Sequence, residues 1–365
     1  MNKKVRKNIG RIKRYAELAK QVVFRPQVCV VGSYHGMNLG DNALKYSVMK
    51  ICDDLNIKSG WTTNAHVNLA GADRFIMGGG AIFRTKNDII EGLNNGSIKK
   101  AGAIGVDVKR ESIKEYPSKT IQAIKKFSHF SVRSKSQRNW INSKSNTCVE
   151  YAPDNAFCLP SPKNPNRKQK IGFNVVGMCI EKKGEAWVPI HRNKEKYENQ
   201  GIINYERVGA GMKRIFRSVS KNLSQRGYEL VHIPFTPRDE EVAEWVFENT
   251  SVDRKKYTGN PLRVIEEMSS MEKMIGCRYH SNIFAILTET PLISVAYARK
   301  CERLWEDMNF EKDFTITRND ISEAPNNAFQ KIVECEGFKI NKNKIIDIKN
   351  RVINQIKKCI LSISD

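Results

Sequence analysis

The stretch Gly276-Cys277-Arg278-Tyr279-His280-Ser281 sets an arginine and a histidine two residues apart, between an apolar run at 273–275 and a helical pattern over 281–288. An arginine in that place can hold a carboxylate or a phosphate, and a histidine can pass a proton near neutral pH. A helix start adds its own preference for anions. Further along, Tyr297-Ala298-Arg299-Lys300 follows the apolar run 292–296 and brings Lys300 as another cation. Among the six histidines, His66, His129, His191 and His232 sit in no comparable polar junction and read as structural or surface residues.

Three other loops carry residues suited to chemistry. Gly32-Ser33-Tyr34-His35-Gly36-Met37-Asn38-Leu39-Gly40-Asp41-Asn42 joins a strand to a helix that opens near Asp41, so Asp41 is either the helix N-cap or an active-site base. Its glycine spacing is neither GxGxxG nor a P-loop. Gly78-Gly79-Gly80 follows a second strand and is either an anion-binding nest of backbone amides or a tight turn. Arg133, after a strand at 130–132, is placed to meet a carboxylate or phosphate, unless it is one more solvated cation. HExxH, DxD and paired CxxC are absent, so no metal and no redox cofactor is expected.

These loops need a scaffold, and the chain alternates strand and helix patterns throughout. Apolar runs at 28–31, 75–77, 101–104 and 130–132 are interleaved with helical stretches, among them 120–126 and 135–142. A polar, proline-rich break at 160–168 follows. The alternation then restarts, with strands at 171–176, 228–233, 273–275 and 292–296 and helices at 208–223, 239–248 and 281–288. The pattern predicts two consecutive α/β domains with mainly parallel sheets, spanning 27–162 and 163–340. A basic amphipathic helix is expected over 1–26 and a long closing helix over 341–365. Two such open sheets in sequence suggest a cleft between them, with ligands beyond the carboxyl ends of the strands.

The composition is that of a globular protein, 40% hydrophobic and 28% charged over 365 residues, which excludes disorder and collagen-like repeats. No apolar run reaches the ~20 residues of a membrane span, and no signal peptide is visible. The nine cysteines are dispersed, as expected of reduced thiols in a cytoplasmic protein and not of a zinc or disulfide framework. The net charge of +23 points to an anionic partner: nucleic acid, a membrane face, or a phosphorylated or diphosphate-linked substrate. Residues 1–25, with a single acid at Glu17, can lie on the inner face of a membrane as a peripheral contact. No zinc finger, helix-turn-helix or aromatic-interleaved basic strand supports nucleic acid.

Taken in order, Gly32…Asn38-Leu39-Gly40-Asp41, Gly78-Gly79-Gly80-Ala81-Ile82-Phe83, Val132-Arg133, Ala152-Pro153-Asp154-Asn155-Ala156-Phe157 and Cys277-Arg278-Tyr279-His280 through Pro291 to Tyr297…Lys300 resemble the polysaccharide pyruvyl transferase family. The resemblance spans roughly residues 28–310. It implies two Rossmann-like domains in a glycosyltransferase-B-like arrangement. It also implies transfer of the enolpyruvyl group of phosphoenolpyruvate onto two sugar hydroxyls of a cell-surface glycan or its lipid-linked precursor, giving a pyruvate ketal and phosphate. By position, Arg133, Arg278, Tyr279, Ser281 and Lys300 would bind the donor and His280 would act on it. Asp41 would serve the acceptor hydroxyl, within a loop region of Asn38, Gly40, Gly78, Gly79 and Gly80. The chain departs from the family at Gly102-Ala103-Ile104-Gly105-Val106-Asp107, where a Gly-Pro ending is common. It departs again at Ser134, where Asp often follows the arginine. Both bear on the acceptor more than the donor. The alternatives are a nucleotide-sugar glycosyltransferase of the same architecture and a basic nucleic-acid- or membrane-binding protein without catalysis.

Overall fold

The fold is seen in a computed structural model that describes residues 25–34, 37–85, 87–162 and 166–364. The basic segment before Arg25 and the loop positions His35 and Gly36 lie outside the described residues. The chain forms two compact units, one of residues 1–159 with 346–365 and one of residues 160–345.

The first unit is built on seven strands: β1 (Val28–Gly32), β2 (Ser59–Thr63), β3 (Arg74–Met77), β4 (Gly80–Phe83), β5 (Lys100–Val108), β6 (His129–Val132) and β7 (Glu150–Tyr151). All pair in parallel, in the order β2-β1-β3-β5-β6-β7, and β4 continues along β5 beyond the end of β3. The central strands are covered on both faces, so every residue of β1 is buried and the run Val-Cys-Val-Val needs no alternation. Around the sheet lie α1 (Leu39–Asp54), α2 (Asp88–Asn95), α3 (Arg110–Glu115), α4 (Pro117–Ile124) and α5 (Lys135–Lys144). The expected strand at 101–104 extends to nine residues, with a positive φ of 57° at Gly105.

The second unit contains β8 (Lys168–Asn174), an antiparallel hairpin of β9 (Ile180–Lys183) and β10 (Ala186–Pro189), β11 (Glu229–His232), β12 (Asp253–Arg254), β13 (Met271–Gly276), β14 (Leu292–Val295) and β15 (Thr315–Ile316). Its six-stranded parallel sheet runs β12-β11-β8-β13-β14-β15. Counted along that sheet alone, this is the order 3-2-1-4-5-6 of a Rossmann domain. Its helices are α6 (Lys194–Glu198), α7 (Tyr205–Gln225), α8 (Pro237–Val246), α9 (Pro261–Ser269), α10 (Tyr279–Leu287), α11 (Arg299–Met308), α12 (Arg318–Glu323) and α13 (Pro325–Glu334). A long α14 (Lys342–Ser364) closes the described chain and returns to the first unit. There Cys359 lies against Gly102 of β5 so closely that a Cβ on the glycine would collide with its sulfur.

Candidate active site

In an open α/β sheet, ligands bind beyond the carboxyl ends of the strands where the strand order reverses. In the second unit that point lies between β8 and β13. Buried Asn174 ends β8 and ties the neighbouring loops together: its Nδ2 donates to the Ile233 carbonyl at 3.0 Å, and its Oδ1 accepts from the Arg278 N–H at 2.9 Å. Arg278 therefore starts α10 from a pinned backbone.

Its guanidinium is pinned as well. Nε and Nη2 donate to the two oxygens of Asp239 at 2.7 and 2.5 Å, and Nη2 also reaches Thr236 Oγ1 at 3.1 Å. Asp239 is fully buried and accepts in addition from the N–H groups of Phe235 and Thr236 and from the Thr236 hydroxyl. Burial alone would lower the Arg278 pKa, but the Asp239 hydrogen bonds and charge outweigh it and hold the group above its ordinary value. Nη1 makes no hydrogen bond to the described residues, and 18% of the side chain stays accessible. The donor-clamping fork expected of Arg278 is thus mostly taken by Asp239, leaving Nη1 for a ligand.

α10 begins at Tyr279, two residues earlier than the sequence pattern suggests, so His280 falls in its first turn. Every other residue of α10 is buried; His280 is half-buried, with its Nε2 closed to solvent. Tyr279 is buried and meets the imidazole edge-on at 5.2 Å. Ser281 is buried too, its hydroxyl donating to the Arg278 carbonyl at 2.7 Å, which makes it a helix-start brace. After the neighbouring strand β14, Lys300 sits in the first turn of α11 with Nζ 5.2 Å from the Tyr297 ring. Neither α10 nor α11 has a side-chain N-cap, so two helix starts join Arg278, Lys300 and His280 at one sheet edge. The arrangement can hold an anion beside a proton-transfer group.

In the first unit the reversal falls between β1 and β3. Tyr34 fills it, its ring lying where side chains on Gly32 and Gly78 would be. Burial, then the Asp41 charge, raise its pKa, so the phenol stays protonated. The cap reading of Asp41 is corrected: the helix begins at Leu39, and Asn38 is the N-cap, accepting from the Gly40 N–H at 3.0 Å. Asp41 stands in the first turn, partly exposed. Gly78, Gly79 and Gly80 are all buried, and the space above them is filled by Tyr34, Asn155 and Leu44. Positive φ at Gly79 and Gly80 breaks the strand, and Asn155 Nδ2 closes the break by donating to the carbonyls of Gly78 and Ile104 at 3.2 and 3.1 Å. The triple glycine serves close packing instead of an amide nest.

Arg133 is only 7% exposed and acts as a tie. Nε and Nη2 donate to Asp107 at 2.9 and 2.6 Å, and Nη1 donates to Asp154 at 2.6 Å. These bonds join the ends of β5 and β6 to the 152–158 segment, and they occupy all three nitrogens. This corrects the solvated-cation reading and leaves no fork for a donor.

Asp239 and Asn174 are the residues sequence reasoning passed over, and Asn155 stood in the 152–157 stretch without a role assigned to it. Thr236-Pro237-Arg238-Asp239 did hold a signal, a helix-start Thr with proline in the first turn and an acid three positions on. Among the described residues no group of three or more His, Cys, Asp or Glu is arranged to hold a metal ion. No helix among them is long and apolar enough to cross a membrane.

Residues 30–299 match the family model described as Polysaccharide pyruvyl transferase. The chain belongs to that family. No curated protein sequence matches this family member. Its fold is shared with solved structures: a Listeria monocytogenes protein assigned as a UDP-N-acetylglucosamine 2-epimerase has a TM-score of 0.54 at 10% identity, over 93% of this chain and 96% of that one. The UDP-GlcNAc 2-epimerase of Methanocaldococcus jannaschii gives 0.53 at 8% identity, over 92% and 99%. Staphylococcus aureus MnaA, solved with UDP, gives 0.52 at 8%, over 93% and 97%. These likenesses show the fold: α/β with two Rossmann-like domains, as in glycosyltransferase-B-type sugar enzymes.

Proposed function

We propose that this family member transfers the enolpyruvyl group of phosphoenolpyruvate onto two hydroxyls of one sugar in a glycan. A proton adds to the methylene carbon of the donor, and one acceptor hydroxyl attacks the adjacent carbon. The C–O bond to phosphate breaks, and the second hydroxyl closes the cyclic ketal. Of the two hydroxyl protons, one balances the new methyl group and the other leaves with the phosphate.

The observation that carries this reading is the carboxyl end of β13 and β14, where Arg278 and Lys300 stand at two neighbouring helix starts and His280 is the one position of α10 that is not fully buried. A trianionic donor suits the cations and helix dipoles, and His280 suits the proton at the methylene carbon. Asp41 is the base for the acceptor hydroxyl. Tyr279 and Ser281 shape the donor loop, and Arg133 keeps its strand ends in place without touching the donor. Residues 1–25 hold the protein on an anionic membrane where a lipid-linked acceptor would be made; removing them should reduce liposome sedimentation and spare activity on a soluble acceptor.

The test is incubation with phosphoenolpyruvate and a panel of free and lipid-linked glycans. Phosphate release with a mass gain of one pyruvate less one water is the expected result. Thermal stabilisation by a nucleotide sugar but not by phosphoenolpyruvate would overturn the reading.

A further inference from the structure

The first unit carries an open groove of about 490 Å³ between α5, the edge strand β7 and α14. Its walls are two helices that each present an arginine and, one turn on, an amide: Arg138 and Asn142 on α5, Arg351 and Gln355 on α14. Tyr151 of β7 lies between them, with Lys135 Nζ 5.6 Å from its ring centre.

The acid in the groove, Glu150, is engaged by Lys358 and Gln355 of α14. Arg138 directs Nε and Nη2 to the neighbouring Asn139 Oδ1 at 3.1 and 2.9 Å. Among the described residues neither Arg138 nor Arg351 is ion-paired with an acid. The groove is therefore positive, and its amides are already engaged, Asn142 with the Val149 backbone and Gln355 with Glu150.

Guanidinium groups on opposite walls read carboxylates, and an aromatic ring supports the C–H face of a sugar. A shallow groove open to solvent suits a chain lying across it better than a small metabolite. We propose that this groove grips an acidic stretch of the glycan, with Arg138 and Arg351 on its carboxylates. The proposal rests on the glycan acceptor inferred above and adds a site for chain segments other than the sugar being modified.

The experiment is calorimetric titration of the full chain with tetragalacturonic acid, neutral galactotetraose, inorganic phosphate and phosphoenolpyruvate. Each ligand is repeated on an Arg138→Gln/Arg351→Gln variant of unchanged melting temperature. Tetragalacturonate should bind, weaken as salt is added, and lose about tenfold or more in affinity in the variant, while phosphoenolpyruvate titrates alike in both proteins. Equal binding of tetragalacturonate to the variant, equal binding of the neutral tetramer, or displacement by phosphate at matching concentration would overturn the groove. If tetragalacturonate binds as expected and phosphoenolpyruvate does not bind at all, the donor assignment fails and the groove stands.

Discussion

Arg278 and Asp239, 39 positions apart, are joined by two hydrogen bonds to a carboxylate closed to solvent, and Nη1 alone remains outside the pair. One side chain thus carries both the integrity of the loop and its charge toward a ligand. A lysine cannot span both oxygens of Asp239. Arg278→Lys should lower unfolding free energy by about 1–3 kcal/mol and weaken phosphoenolpyruvate binding together. Asp239→Asn should weaken donor binding through the loosened guanidinium. Urea unfolding and donor titration on both variants check this, and normal donor affinity in Arg278→Lys would remove Arg278 from the site.

His280 is the one half-buried position on a helix otherwise buried, so a glutamine of similar reach should fit there without disturbing the core. His280→Gln is expected to bind phosphoenolpyruvate normally and to turn over roughly 10²–10⁴ times more slowly, the range for loss of a general acid. Single-turnover rates are the measurement; near-wild-type rates in a folded variant exclude the role.

For Arg133 the expected defect is structural. Arg133→Met would leave Asp107 and Asp154 as buried carboxylates without their cation, a loss of about 3–5 kcal/mol. Donor affinity of the folded fraction should not change. A donor-binding loss at unaltered stability would instead place Arg133 in contact with the substrate.

The cap and the base of the first loop can be separated. Asn38→Ala should cost about 1 kcal/mol of stability as a lost N-cap, with turnover kept. Asp41→Asn should lower turnover with little change in melting temperature. Equal turnover in Asp41→Asn and wild type would leave Asp41 as a first-turn acid that favours the helix dipole and nothing more.

His232 sets a pH limit on the second unit. It is fully buried, neither ring nitrogen has a hydrogen-bond partner among the described residues, and burial lowers its pKa from 6.5 to about 4. Asp239 pushes it up and Arg254 down, each more weakly. Because the folded value lies below the unfolded one, the unfolded chain takes up the proton first. The contribution is complete above pH 6.5 and about 3 kcal/mol is lost as pH falls to 4. His232→Phe, beside Phe247, should flatten that part of the stability curve. An unchanged slope between pH 6.5 and 4 would assign the acid sensitivity to other groups.

Where strands are buried on both faces, as at Val28–Gly32 and Leu292–Val295, the apolar run alone marks them, and the alternating architecture was legible. Edge strands were not. Glu150–Tyr151 and Thr315–Ile316 are two residues each, and Ser59–Thr63 contains a glycine and polar residues; only their neighbours make them strands. The site divided the same way. Arg278 and His280 could be seen from their place between strand and helix, but the partner that occupies most of Arg278 comes from another strand-to-helix turn. Lateral packing of parallel strands brings it there, and no local spacing records that. The glycines at 78–80 stayed undecided between nest and turn for a related reason: a glycine that admits a ligand and one that admits Tyr34 or Asn155 look alike in sequence.

The return of α14 to the first unit has a consequence for the order of events during synthesis. A ribosome makes residues 160–345 before it reaches the helix whose Cys359 covers Gly102. The second unit is complete on emergence, while the earlier-made sheet still has the α14 side of β5 bare and the apolar residues that Val352, Ile356 and Ile360 will meet exposed. Early translation thus does not mean early folding for this chain, and the interval before α14 arrives is when its first unit is most open to aggregation and most in need of a chaperone.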